Sequence, residues 1–60
     1  MRAKILRLKD VIERTGLSRS TIYLQIAQRR FPRQLHLTGA RSIGWHEDSI
    51  TQWIESRKEV

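Results

Sequence analysis

A small, mainly α domain carrying a single β-hairpin is predicted by three observations. Apolar residues recur at helical spacing in three segments, around Leu8–Ile12, Ile22–Ile26 and Ile50–Ile54. A glycine-containing break of about three residues separates the first two. Between the second and third, Leu35-His36-Leu37 and Ser42-Ile43-Gly44-Trp45 alternate as strands do, on either side of Thr38-Gly39-Ala40-Arg41, which suits a turn.

Residues 1–4 read as a loose basic start, and Ile5 to Arg7 as a short strand or an extended lead-in. Leu8, Val11 and Ile12 then predict a helix over roughly 8 to 15. Asp10 suits the positive end of its dipole, and Gly16 suits a left-handed C-terminal turn. Ser18 is a good N-cap for a second helix, with Leu17 placed to staple onto Ile22. Ile22 and Ile26 mark its buried stripe, and Pro32 forces an end near Arg29. Two short helices around so tight a turn form a helix-turn-helix. The third helix is expected from about Glu47 to Lys58. Ile50, Trp53 and Ile54 face inward, acids Glu47 and Asp48 lie in its first turn, and Arg57 and Lys58 in its last. Helix, turn, helix, hairpin, helix make a compact winged helix-turn-helix, three helices plus a wing, as a single domain over 1–60.

Sixty residues bury only about 60% of the surface their unfolded chain exposes, which leaves little room for an enclosed substrate pocket. There is no Cys, hence no disulfide framework or thiolate metal site. His36 and His46 lack the paired spacing of a zinc motif and read as surface strand and cap residues. Trp45 and Trp53 are placed in the core. The formal charge of +6 and pI of about 11.2 point to nucleic acid or an anionic surface. No apolar run approaches the ~20 residues that span a bilayer, and the N-terminus lacks the apolar region of a signal peptide. A cytoplasmic protein without cofactor is expected. His46, Glu47, Asp48 and Ser49 sit consecutively at a helix start, where side chains splay around the axis, so no triad forms. No glycine-rich phosphate loop is present. The chain is not expected to be an enzyme.

The stretch GLSRSTIYLQIAQRRFP, residues 16–32, contains no acid. A solvated face usually mixes signs, so this helix is suited to an anion. Ser18, Arg19, Ser20 and Thr21 crowd its N-terminus, where free backbone N–H groups favour phosphate. The second helix of such a motif enters the major groove with its N-terminal residues on base edges. Arg19 is the foremost base reader, with Ser20 beside it. Ser18 and Thr21 also serve as plain caps, and Tyr23 divides between partial burial and a phosphate contact. Gln28 points outward or sideways. Arg29, Arg30 and Arg33 are placed to hold flanking backbone by charge. Arg41 beside Gly39 is at the wing tip, suited to backbone or a narrow minor groove.

RLKDVIERTGLSRSTIYLQI, RRFPRQLHL and GARSIGWHEDSITQWI resemble the AlpA family of phage and prophage regulators, which groups with excisionase-like, MerR-like winged-helix proteins. The likeness covers roughly residues 5 to 57. It implies double-stranded DNA as partner and a role in transcription regulation of a prophage or mobile element. Related small proteins are recombination directionality factors that bend attachment-site DNA, and the shared docking surface leaves that alternative open. The contact helix corresponds to Ser18 through Tyr23 and the wing to Gly39 through Arg41. Two positions depart from the family pattern. Leu24 stands where Arg is frequent, and Arg29 where a Gly tends to precede the Arg-Phe-Pro run. A left-handed turn at Arg29 would be strained.

MerR-type regulators continue into a coiled coil and an effector domain, for which this length has no room. No small-molecule ligand and no strong dimer are therefore expected, and specificity falls to several copies on repeated sites. An integrase or RNA polymerase is a further partner of the kind implied. A protein-binding adaptor, with Leu24 as its exposed anchor, and a non-specific nucleoid coat are the competing functional readings.

Overall fold

The computed structural model describes residues 3–39 and 41–57. Its elements follow in the order β1 (Ile5–Leu6), α1 (Leu8–Thr15), α2 (Arg19–Ala27), β2 (Leu35–His36), β3 (Ile43–His46) and α3 (Glu47–Glu55). Three helices and a small antiparallel sheet give the mainly α, winged helix-turn-helix arrangement. Met1 and Arg2 of the basic start, Ala40 of the wing turn and Lys58 of the third helix lie outside the described residues.

α1 has the expected bounds, for identifiable reasons. The Asp10 carboxylate accepts the Arg7 backbone N–H at 3.2 Å, which ties down the helix start. At the other end Gly16 is left-handed at φ 74°, and its N–H returns to the Ile12 carbonyl at 2.9 Å. Thr15 tightens the turn: its hydroxyl donates to the Val11 carbonyl and accepts the Leu17 N–H. Ser18 then caps α2, its Oγ accepting the Thr21 N–H at 3.2 Å.

The end of α2 comes earlier than expected, at Ala27 instead of near Arg29. The Arg29 N–H donates to the Ile26 carbonyl and the Arg30 N–H to the Gln25 carbonyl. That pair of bonds is a Schellman turn, with Gln28 as C-cap and Arg29 in the left-handed position. Arg29 has φ 59° and is the one non-glycine residue with positive φ among the described residues. Relative to glycine this conformation costs an L-residue about 1 kcal/mol.

The hairpin is part of a three-stranded sheet in the order β1-β3-β2, both pairings antiparallel. Ile5 and Leu6 face His46 and Trp45 across β3, and Leu35 and His36 face Gly44 and Ile43. The lead-in is therefore a strand. Leu37 and Ser42, expected within strands, lie just beyond them, although the Leu37 N–H still reaches the Ser42 carbonyl at 2.7 Å. β3 is pinched between its neighbours at Gly44. A Cβ there would lie 2.6 Å from Ile5 Cγ2, 2.9 Å from the Leu6 carbonyl oxygen and 3.3 Å from Leu37 Cδ1. The clash with the backbone oxygen is not relieved by a rotamer change. Gly44→Ala is accordingly expected to destabilise the domain by about 1–2 kcal/mol, read as a fall in the thermal midpoint. An unchanged midpoint would show that β1 moves aside freely.

The core takes one side chain from every part of the chain except the wing's outer strand: Leu6, Val11, Ile22, Phe31, Trp45 and Ile50. Leu8, Ile12, Leu17, Ile26, Ile43, Trp53 and Ile54 pack around them. Both tryptophans also anchor the loop after α2. Trp45 Nε1–H donates to the Pro32 carbonyl and Trp53 Nε1–H to the Arg30 carbonyl, each at 2.9 Å. Phe31 meets both indoles edge-on, with ring centroids 6.4 and 4.9 Å away. Trp45 is wholly buried and Trp53 lies half-buried at the core's edge.

α3 ends at Glu55, with Ser56 as C-cap, short of the expected Lys58. Ser56 closes the last turn onto the Trp53 carbonyl through its own hydroxyl. Arg57 thus lies beyond the helix, its guanidinium 4.4 Å from the centre of the Trp53 ring. His46 is the last residue of β3 and the N-cap of α3, and His36 is exposed on β2, both as expected.

Candidate nucleic-acid interface

With Ile22 buried and Ile26 half-buried, α2 presents Arg19, Ser20, Tyr23, Leu24 and Ala27 to solvent. Tyr23 is 39% and Leu24 55% exposed, so the tyrosine belongs to the outer face. The Ser18 and Thr21 hydroxyls are engaged with each other at 2.9 Å, and Ser18 also accepts the Thr21 N–H. Both take part in the cap, with the Thr21 hydroxyl accepting and its own proton unused among the described residues. Gln28, also exposed, forms the opposite cap.

Arg19 and Tyr23, one turn apart on α2, line an open groove with Arg41 of the wing turn. Arg7 and Lys9, from the start of α1, line it too, with Leu8 and Ile43 as apolar wall. Four cations and a phenol therefore converge with no acid among them. Arg7 is oriented across the groove: its Nε–H donates to the Ile43 carbonyl of β3 at 3.0 Å. Gly39 lies exposed beside the groove's wing.

The acids are arranged elsewhere. None occurs between Glu13 and Glu47. Both ion pairs among the described residues end on Glu47, from Arg14 at 3.3 Å and Lys4 at 3.9 Å. Arg14 also donates to Thr51 Oγ1, so it ties α1 to α3. That leaves Arg7, Lys9, Arg19 and Arg41 without an acidic partner among the described residues.

The remaining basic residues from the sequence reading do not join this groove. Arg29 and Arg30 line a second one, against Phe31, Pro32 and α3. Arg33 lines a depression with Ile26, Ala27, Arg29 and Phe31 at the end of α2. Arg7 and Lys9, conversely, were not expected beside Arg19 and Arg41. Their presence follows from the pairing of β1 with β3, which sets the β1–α1 junction beside the wing. The signal in the sequence was the extended segment Ile5–Arg7, read as strand or lead-in.

The model describing a prophage CP4-57 regulatory protein (AlpA) matches residues 4–58. A DNA-binding transcriptional activator AlpA of Escherichia coli (strain K12) is 37% identical over 60 residues, covering 90% of this chain and 84% of that protein. An uncharacterized protein of Enterobacteria phage P4, ORF88, is 39% identical over 54 residues. That alignment takes in 90% of this chain, which spans only 60% of the phage protein's length. No solved structure gives a significant match. Among the described residues no helix is long and apolar enough to cross a membrane. With the family match running nearly end to end, over the turn, the second helix and the wing alike, the chain belongs to the AlpA family of prophage regulatory proteins.

Proposed function

We propose that the protein is a sequence-specific, double-stranded DNA-binding regulator of prophage or mobile-element transcription. The observation that carries this reading is the convergence of Arg7, Lys9, Arg19, Tyr23 and Arg41 in one acid-free groove between α2 and the wing. The name of the E. coli relative, a DNA-binding transcriptional activator, supports it.

α2 lies in the major groove with its N-terminus toward the bases. Arg19 takes guanine O6 and N7, and Ser20 an adjacent base edge. Leu24 and Ala27 offer apolar contact to thymine methyl groups, which assigns the exposed leucine a place on DNA in preference to a protein anchor. The backbone N–H groups of Arg19 and Ser20, left over by the Ser18 cap, take a phosphate together with the Tyr23 hydroxyl. Arg7, Lys9 and Arg41 follow the backbone on the wing side, where Gly39 lets the turn approach closely.

Fluorescence anisotropy with the DNA flanking the gene, against a scrambled duplex of equal length across a salt series, tests the assignment. Preference for the native duplex that survives rising salt is expected. Equal binding to both that salt erases would reduce the protein to a non-specific coat. Arg41→Ala is expected to weaken both duplexes alike and to flatten the slope of log K against log salt by about 0.9. An unchanged slope would remove the wing from the contact surface.

A further inference from the structure

The second groove has a different chemistry from the first. Exposed Arg29, Arg30 and Arg57 stand around buried Phe31 and half-buried Pro32 and Trp53. It shares no lining residue with the groove of Arg19 and Arg41. We propose that this groove, between the Arg29–Arg33 loop and α3, docks an acidic segment of a partner protein through a central apolar anchor, leaving the DNA groove free.

Three features support a built surface over a chance cluster of charge. First, the groove is preformed. Trp53 Nε1–H holds the Arg30 carbonyl at 2.9 Å, and Phe31 packs edge-on against Trp53. Arg57 is fixed over the Trp53 ring, with Nε–H donating to the Trp53 carbonyl and a terminal N–H to Ser56 Oγ. A partner therefore meets few side chains that must still be ordered. Second, Arg29 occupies the left-handed position of the Schellman turn, where glycine is relaxed. Strain of this kind persists where the surrounding structure over-determines it, and it clusters at binding and active sites. Third, arginine and tryptophan against a desolvated apolar patch are the residue types that dominate binding energy in protein interfaces.

The occupant follows from charge. None of the three arginines has an acidic partner among the described residues, so the groove attracts carboxylates. A DNA backbone would use the charge but not the Phe31-Pro32-Trp53 wall. A second copy of the chain carries +6 and has one pair of adjacent acids, Glu47 and Asp48, of which Glu47 is already held by Arg14 and Lys4.

The test is a titration of the isotope-labelled full chain with two short peptides, followed by amide and indole NMR signals. One consists of Asp and Glu around a central Phe-Leu pair; in the other that pair is Ser-Ser. The Trp53 indole N–H and the amides of Ser49 and Gln52, which also line the groove, are expected to shift, while Arg19, Tyr23 and Arg41 stay still. The Ser-Ser peptide is expected to bind about tenfold more weakly. Arg30→Glu, which leaves the backbone carbonyl for Trp53, should cost roughly tenfold in peptide affinity. Arg29→Gly should cost roughly threefold while raising the melting temperature by about 4 °C, a combination that a purely structural role does not produce. Shifts at Arg19, Tyr23 and Arg41 would overturn the proposal, because the peptide would then be mimicking DNA in the first groove. Equal affinity of the two peptides would overturn it as well. So would an Arg30→Glu variant that keeps peptide affinity but loses DNA affinity, since the groove would then hold backbone phosphate. Shifts at Trp53 that grow with protein concentration alone would make a second copy the occupant.

Discussion

Trp45→Ala is expected to leave the chain unfolded in water at room temperature. The indole is wholly buried at the middle of the central strand, and truncating such a side chain costs about 3–5 kcal/mol. A domain of this length has only about 3–9 kcal/mol to lose. The cavity is not the whole loss. Trp45 Nε1–H satisfies the Pro32 carbonyl, and an orphaned buried acceptor adds about 1–3 kcal/mol. Phe31, packed against the same ring, loses a wall at the same time. Far-UV circular dichroism and a urea titration measure the effect. Trp45→Phe separates the two contributions, since it refills most of the volume and leaves Pro32 without its donor. A Trp45→Ala variant with the parent's urea midpoint would mean that the core is organised around other residues. Trp53, half-buried at the edge of the core, should be the milder loss.

The difference between the two tryptophans was not visible in the sequence, and the reason is instructive. Trp53 is in helical register with Ile50 and Ile54, which identifies the buried side of α3 but not how deep each member sits. Local signals did well where the determining contacts are local. The bounds of α1 follow from Asp10 and Gly16, and the start of α2 from Ser18. The expected strain at Arg29 is present because the Schellman turn is set by residues within one helical turn of it.

What failed was non-local. Nothing near Ile5 states that it pairs with His46, so the third strand stayed ambiguous. Without that strand Arg7 and Lys9 had no reason to be placed by the wing. The division of the basic residues between two grooves was hidden for the same reason. Arg19 and Arg29 belong to one acid-free stretch, yet packing of Phe31 against both indoles turns the second set toward α3. The ends of α2 and α3 were misjudged by two or three residues. In α3, dipole reasoning favoured keeping Arg57 inside the helix. Instead the Ser56 hydroxyl and Arg57 Nε–H both donate to the Trp53 carbonyl, and the Arg57 backbone N–H turns to Ile54, which closes the helix before it.

Arg19→Ala should lose about 1–3 kcal/mol of affinity for the native DNA, with little change for a scrambled duplex. It should do so without weakening the fold. Arg19 is the first residue of α2, exposed, with no acidic partner among the described residues. Its position is electrostatically adverse. A cation next to the positive end of a helix dipole is disfavoured by about 0.3–1 kcal/mol. α1 and α3 carry acids in their first turns, while α2 alone has none. α2 thus breaks a rule that its two neighbours follow, and Arg19 is where the breach is greatest. Removing the charge should leave the melting temperature unchanged or slightly higher. Lower affinity in a variant of equal or greater stability would show that the charge is kept for its ligand. If Arg19→Ala instead weakened native and scrambled duplexes equally, the residue would be a phosphate clamp, and base reading would pass to Ser20 and the apolar Leu24–Ala27 face. If it changed neither, α2 would not be the helix in the groove, since no other residue of its first turn carries a charge.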